Sequence, residues 1–377
     1  MGKRANGEGS LFKRSDGRWC ATIIEPSGRR RYLYGKTRQD VKGKLHTAQE
    51  NVKKALPVVT SSETLAHFLE RWLRDVAPNR LRPATLERYR GDVRLHILPA
   101  LGRLRLAEVT PPAVQAFVNG LDAGGLSPAS IRHARAVLRV ALQHALREGS
   151  IGQNSAKLVD TPRAARKPVA ALAPEDARAL LATFAGHSLE ELVITALATG
   201  LRMGELLGLT WEDADLDAGT LRIRRQLQRL DGAFRLVDLK TENSRRALSL
   251  PLIAVEALRR QRAHQAEMRL YAGSGWQDLG LVFTTDIGGY LNGSSVTHRF
   301  QKQLAAAGLP SMTWHHLRHG AASLLLAQGA SMRVVMEQLG HSQIALTMNT
   351  YAHITPALLQ DAADKLNRAL GGETAAG

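Results

Sequence analysis

The stretch Ala198-Thr199-Gly200-Leu201-Arg202-Met203-Gly204-Glu205-Leu206-Leu207-Gly208-Leu209 joins two helical runs with almost nothing between them. An apolar helix over 189–198 stops at Thr199-Gly200, and a second helical run over 202–208 starts at once. Arg202 falls in the first turn of that second helix, the end where the helix dipole disfavours a cation. A guanidinium placed there needs a compensating reason. Glu205, three residues on, can pair with it and fix its fork, and the apolar sequence on both sides argues against an ordinary surface ion pair.

Downstream, strand-like Thr220-Leu221-Arg222-Ile223-Arg224 leads to a basic hairpin around Lys240, and the chain is mostly helical from about 251 onward. Lys240 is expected at a turn between two strands, where a hairpin tip can carry an ammonium into a site. Taken alone, a lysine on a basic loop reads as a phosphate contact, and Arg245 is a candidate of the same kind. The run His315-His316-Leu317-Arg318-His319 places His315 and His319 on one helical face. It lacks the glutamate of the His-Glu-x-x-His zinc motif, and no metal is expected there. His315 and Arg318 are neighbours at i and i+3, so one phosphate can meet an imidazole and a guanidinium together. His316 is expected to point away, and His319 to serve as a core or supporting residue. Leu339-Gly340-His341 reads as a helix end with glycine in the stop, and Tyr351 follows ten positions later.

Together these side chains suit attack on a phosphodiester. In-line attack builds negative charge on the non-bridging oxygens, and preorganised donors lower that barrier. Two guanidiniums clamp such oxygens bidentately, where lysines act as point charges. A phenol is mostly protonated at neutral pH, so an attacking tyrosine needs a neighbouring base and positive potential. The departing sugar hydroxyl needs a proton, which Lys240 can supply. A covalent phosphotyrosine preserves the phosphoester linkage, so rejoining needs no nucleotide cofactor. The chain accordingly carries no Walker-type loop, and no cofactor is expected.

The totals agree with an acidic polymer as partner. Among 377 residues, 51 Lys and Arg stand against 34 Asp and Glu, a net charge of +17, and double-stranded DNA is the expected ligand. A single cysteine, Cys20, excludes intramolecular disulfides and cysteine-rich zinc modules and reads as a small core residue. No apolar run approaches the roughly 18 residues that span a bilayer. The first residues, Met1 to Gly7, lack the hydrophobic segment of a secretory signal. The expectation is a cytoplasmic protein, nucleoid-associated when bound to DNA.

Residues 1–56 are the most basic part, with 14 Lys and Arg against 5 Asp and Glu. Strand signals at Ser10–Lys13, Trp19–Ile24 and Arg31–Tyr34 are separated by Asp16-Gly17 and Pro26-Ser27-Gly28, and a helix from Thr37 to about Lys53 follows. Such a three-stranded ribbon, with Arg18, Arg29, Arg30 and Arg31 exposed, can lie in a DNA groove. Residues 60–160 read as four helices. The first, behind Ser61-Ser62-Glu63, turns Leu65, Phe68, Leu69, Trp72 and Leu73 inward. The second runs from Thr85 to Pro99, the third opens at Thr110-Pro111, and the fourth runs from Ser127-Pro128 to Gly149. Their other faces carry arginines, among them Arg88 and Arg135, suited to phosphate contacts. Residues 161–173 look like an extended, basic linker.

Thr199 to Leu209, the hairpin lysine, His315-x-x-Arg318, Leu339-Gly340-His341 and Tyr351 resemble the tyrosine recombinase (phage integrase) family, over the whole catalytic half. The segment 60–160 resembles that family's core-binding domain, and residues 1–56 its arm-type DNA-binding domain. The resemblance implies a multidomain, mainly α fold with small β parts. It comprises a small β-ribbon plus helix at 1–56, a four-helix core-binding domain at 60–160, a linker at 161–173, and a mixed, mostly helical catalytic domain with a small β-sheet at 174–377. It further implies that Arg202 and Arg318 bind the scissile phosphate, Lys240 is the general acid, His315 acts as acid/base, His341 supports the phosphate, and Tyr351 forms a 3′-phosphotyrosyl bond. The family works as a homotetramer on core and arm sites through a Holliday junction, and the tail from Pro356 packs on a neighbouring subunit. A directionality factor and a host DNA-bending protein are further partners the resemblance admits. The expected function is a site-specific recombinase that integrates or excises a phage-like or mobile element. The alternatives are a chromosome-dimer-resolving recombinase and a catalytically silent regulator of the same fold. His316 departs from the family, which often carries Asp there.

Overall fold

In the computed structural model, residues 10–24, 30–53, 63–163, 172–239 and 245–340 are described. The chain divides into two compact units, Met1–Arg166 and Lys167–Gly377.

The first unit opens with strands β1 (Ser10–Lys13), β2 (Trp19–Ile24) and β3 (Arg30–Gly35), paired antiparallel in that order. Helix α1 (Arg38–Lys53) follows. Period-2 alternation sends Ala21, Ile23 and Leu33 toward Val41 and Ala48 on the helix, giving a small core. The register Cys20↔Tyr34 and Thr22↔Tyr32 leaves Arg30, Tyr32 and Tyr34 in phase along the opposite face of β3. Arg31 alternates onto the face of Leu33 and is half-buried, so the exposure expected of it is corrected, while Arg30 is exposed. Arg29 lies outside the described residues.

The helical part of this unit holds α2 (Leu65–Arg71), α3 (Pro83–Asp92), α4 (Leu98–Leu101), α5 (Pro111–Ala123) and α6 (Pro128–Arg147). Helix α2 is capped by Thr64, whose hydroxyl accepts the His67 N–H at 3.3 Å, rather than by the serines before it. It continues through a π turn at Trp72–Val76, and α3 through another at Val93–Ile97. The second π turn explains why Pro99 does not end this helix as expected. The widened ladder restarts helix geometry at Leu98, so Pro99 sits in a first turn, where its missing N–H costs nothing. The inward residues form one apolar core, with Phe68, Ile97, Ile131 and Leu138 fully buried.

The second unit begins with α7 (Pro174–Thr183), α8 (Glu190–Thr199) and the short α9 (Met203–Leu207). Strands β4 (Ala214–Asp215), β5 (Thr220–Ile223), β6 (Arg225–Leu230), β7 (Ala233–Asp238) and β8 (Arg246–Ser249) come next. They form one sheet in the order β4-β5-β8 and a separate β6–β7 hairpin. That hairpin turns at Asp231-Gly232, both at positive φ (50° and 80°), the two-residue geometry that matches strand twist. The connection from β7 to β8 contains Lys240, outside the described residues. Helices α10 (Leu252–Ala272), α11 (Gly293–Ala306), α12 (Trp314–Ala327) and α13 (Met332–Leu339) complete the unit.

Its core is built around Phe184, Phe300 and Trp314, with ring centroids 5.2 and 4.9 Å apart along the stack. A smaller cluster of Ala322, Leu326, Val335 and Leu339 locks α13 onto α12 and so fixes where α13 ends. Among the described residues, no helix is long and apolar enough to cross a membrane.

Candidate catalytic site

Helix α8 is buried on nearly every side, and the Thr195 and Thr199 hydroxyls donate back to the carbonyls of Glu191 and Thr195. Its stop is dictated by Gly200, at φ +64°, ψ +24°. A Cβ there would lie 2.5 Å from Leu339 Cδ2 and 3.3 Å from Ala321 Cβ. Left-handed backbone and close approach both demand glycine.

Arg202 is the extended residue that caps α9, one position before the first turn expected for it. Glu205 answers it twice: its Oε2 accepts the Arg202 backbone N–H at 3.1 Å, and its Oε1 accepts Arg202 Nη1 at 2.7 Å. The dipole objection is thereby met, because a carboxylate lies between the cation and the positive end of the helix. The pair is no surface ion pair, since the Glu205 side chain is 1% exposed. Burial works against its ionisation, but the Arg246 charge and hydrogen bond, with Arg202, outweigh burial and hold the carboxyl below its ordinary range.

Arg318 is 2% exposed, the largest fully buried side chain among the described residues. Its Nη1 donates to the Gly200 carbonyl at 2.7 Å and its Nη2 to the Leu339 carbonyl at 2.6 Å. Helix α12, which carries it, is capped by Thr313. The Nδ1 of His316 accepts the Thr313 backbone N–H at 3.0 Å. That is the role an aspartate at position 316 would fill in a capping box, so the histidine preserves the local geometry.

His315 lies at the surface of the first turn of α12. Partial enclosure of its ring, then the Arg318 and Arg202 charges, hold its pKa below the usual histidine value. His319 packs edge-on against it at 4.4 Å, and burial first, then the neighbouring cations, lower its pKa to about 4. Both rings are therefore neutral near pH 7, the form in which an imidazole can accept a proton. Among the described residues, no group of three His, Cys, Asp or Glu side chains is placed to hold a metal ion.

The structure thus brings Arg202, Glu205, His315 and Arg318 together from the N-termini of two helices, α9 and α12, far apart in the chain. Lys240, His341 and Tyr351 lie outside the described residues. Arg246 was missed by sequence reasoning. Its side chain is 7% exposed, and its Nη2 donates to Glu205 Oε2 at 3.1 Å. The signal was its phase: in β8, Arg246 shares the inward face with buried Leu248.

The candidate DNA contacts are more scattered. Arg18 is exposed, pairs with Asp16 at 2.7 Å, and lies over the Tyr34 ring. Arg88 is exposed. Arg135 is half-buried, with Nη2 reaching the Lys157 carbonyl at 3.5 Å. Arg245 is exposed beside Asp238. Tyr32 and Tyr34, stacked at 6.5 Å and each more than two-fifths exposed, were not anticipated.

The model of the phage integrase family matches residues 171–357, and that of the phage integrase N-terminal SAM-like domain matches 64–121. An integrase of Streptomyces ambofaciens is 30% identical over 93% of this chain and 93% of its own length. A XerC-like tyrosine recombinase of Caldanaerobacter subterraneus subsp. tengcongensis is 29% identical over 90% of this chain and 91% of its own. The chain therefore belongs to the tyrosine recombinase (phage integrase) family and is a site-specific DNA recombinase, an enzyme of DNA strand breakage and rejoining. Its fold is shared with the Tn1549 transposon integrase bound to transposon right-end DNA, with a TM-score of 0.68, 22% identity, and 81% of this chain and 99% of that one covered. A lambda integrase tetramer on a Holliday junction gives a TM-score of 0.57 and 21% identity, with 91% and 97% covered.

Proposed function

We propose that Arg202 and Arg318 hold the scissile phosphate of a DNA strand while Tyr351 attacks it and becomes its 3′-phosphotyrosyl partner. The convergence of two guanidiniums beside an imidazole kept neutral carries this reading. Their positive charge stabilises the oxygens that gain charge in the transition state. Neutral His315 can take a proton during attack and return it on reversal. Lys240 protonates the departing 5′ oxygen, and His341 supports the phosphate. Energy is conserved in the ester to Tyr351, so the freed hydroxyl of another strand can reverse the attack and reseal the DNA.

The domain roles follow the same reading. Residues 60–160 and 174–377 grip the core site, joined by a linker at 161–173, and the sheet of residues 1–56 binds separate arm sites through the face bearing Arg30, Tyr32 and Tyr34. A homotetramer assembles on DNA, as in the lambda integrase structure on a Holliday junction. A directionality factor or a host DNA-bending protein sets the choice between integration and excision. A dedicated arm-site module favours an integrase of a mobile element over a chromosome-dimer resolvase.

The test uses a nicked suicide duplex built from the attachment sequence flanking the coding region. Wild-type protein is expected to form a covalent adduct that survives denaturing electrophoresis, and Tyr351→Phe none. An adduct that persists in Tyr351→Phe would overturn the assignment of the nucleophile.

A further inference from the structure

The last carbonyls of α13 are gripped by arginines from three other places in the chain. Arg246 Nε donates to the Gln338 carbonyl at 2.8 Å, Arg318 Nη2 to that of Leu339 at 2.6 Å, and Arg202 Nη2, more weakly, to that of Gly340 at 3.5 Å. The carbonyl end of a helix is its negative pole, so three cations there are electrostatically satisfied. Two of the three are the proposed phosphate ligands. The third, Arg246, is buried and has no such role.

We infer that Arg246 is a positioning residue for strand cleavage, one that ties the phosphate-binding Arg202, through Glu205, to the end of α13 from which the chain continues to His341 and Tyr351. This rests on the reading of Arg202 given above. The geometry is a chain of short contacts. One side of the Arg246 guanidinium meets the Gln338 carbonyl, and its Nη2 meets Glu205 Oε2. Glu205 Oε1 meets Arg202 Nη1, and its Oε2 also accepts the Arg202 backbone N–H. Arg202 itself is 42% exposed at the side chain, so its direction is not set by packing; Glu205, 1% exposed, is what holds it. Glu205 is held in turn by Arg246. A planar fork can bridge a carboxylate and a carbonyl at once, which a lysine ammonium at the same place cannot do with the same geometry. Gly340 completes the fit: at φ +65° its missing side chain leaves room for Arg246, whose Nη1 would lie 3.0 Å from a Cβ there.

A purely structural arginine and a positioning one differ in what their removal does to Glu205. The charges that act most on Glu205 are Arg246 from β8 and Arg202 from its own helix cap. With Arg246 gone, burial dominates, the carboxyl takes a proton at higher pH, and protonated Glu205 releases Arg202. Cleavage should then fall more steeply toward acid than in the wild-type protein, beyond the loss that protonation of His315 brings to both.

The experiment compares full-length wild type, Arg246→Met, Arg246→Lys, Glu205→Gln and the double variant Arg246→Met/Glu205→Gln. Adduct formation on the suicide duplex is followed at saturating DNA from pH 5.5 to 8.5, with duplex affinity measured separately. Arg246→Met is expected to bind duplex within about threefold of wild type and to cleave roughly 10- to 100-fold more slowly at neutral pH, losing more rate as pH falls. Arg246→Lys should restore the wild-type pH profile while remaining slower than wild type, and the double variant should be no slower than Glu205→Gln alone. Carbon-13 NMR titration of labelled glutamate carboxyls, without DNA, should show one group titrating at higher pH in Arg246→Met. That measurement reads the Arg246–Glu205 link even if Tyr351 proves not to be the nucleophile. Additive losses in the double variant, an Arg246→Lys rate equal to wild type, or an unmoved glutamate titration would each overturn the inference. If Arg246→Met does not fold, the lysine variant and the titration decide it.

Discussion

Replacing Gly200 by alanine tests the geometry at the centre of the site. Two costs are separable. The backbone at φ +64° is left-handed, which costs a side-chain-bearing residue roughly 1–2 kcal/mol. The new methyl would also stand 2.5 Å from Leu339 Cδ2 and 3.3 Å from Ala321 Cβ. Leu339 is 0% exposed and cannot swing into solvent, so relief must come from shifting α13, an overpacking cost of about 1–3 kcal/mol. Gly186→Ala supplies the control: its φ is +71°, but nothing lies within 4 Å of the added carbon, so only the backbone cost applies. At about 2–4 °C per kcal/mol for a unit of this size, Gly200→Ala should lower the melting temperature by roughly 4–20 °C and Gly186→Ala by roughly 2–8 °C. Circular dichroism melts of the two variants side by side measure this. The same shift of α13 pulls the Leu339 carbonyl from Arg318, so Gly200→Ala should also cleave more slowly than its folded fraction explains. Equal melting shifts for both variants would refute the packing of Leu339 against the end of α8.

Three further outcomes follow from the same structure. His319 has a folded pKa of about 4, below the roughly 6.5 of an unfolded histidine, so the sign is fixed. Above about pH 6.5 both states are neutral and the group contributes nothing, whereas between about 6.5 and 4 only the unfolded chain is protonated, so acidification should cost about 2–3 kcal/mol. Denaturant melts of wild type and His319→Gln across that range should converge as pH falls; parallel curves would contradict it. Arg318→Lys cannot reach both the Gly200 and Leu339 carbonyls and should slow adduct formation by about a hundredfold or more, with duplex affinity nearly unchanged; gel-based cleavage and binding assays separate the two. If roughly ten phosphates are neutralised on binding, log affinity should fall against log salt with a slope of about −9, and a flat response would mean the positive charge serves another purpose.

Much of this protein was legible from short-range signals. Hairpin turn residues and alternation placed β1, β2 and β3, and cap-plus-proline pairs at Thr110-Pro111 and Ser127-Pro128 placed α5 and α6, because such signals depend on backbone chemistry within a few residues. The set Arg202, Glu205, His315 and Arg318 was also readable, since each residue sits at a helix terminus that the local sequence defines. The π turns that carry a helix through Pro99 were not, because a ladder widens in response to packing that no local pattern encodes. The sequence by itself determined which chemical groups this enzyme owns and which local elements display them. Only the tertiary structure decided that Arg246 braces Glu205 and that the end of α13 collects three guanidiniums. Those contacts join residues up to 138 positions apart, and their partners are chosen by how helices pack, a long-range outcome that neither propensity nor spacing records.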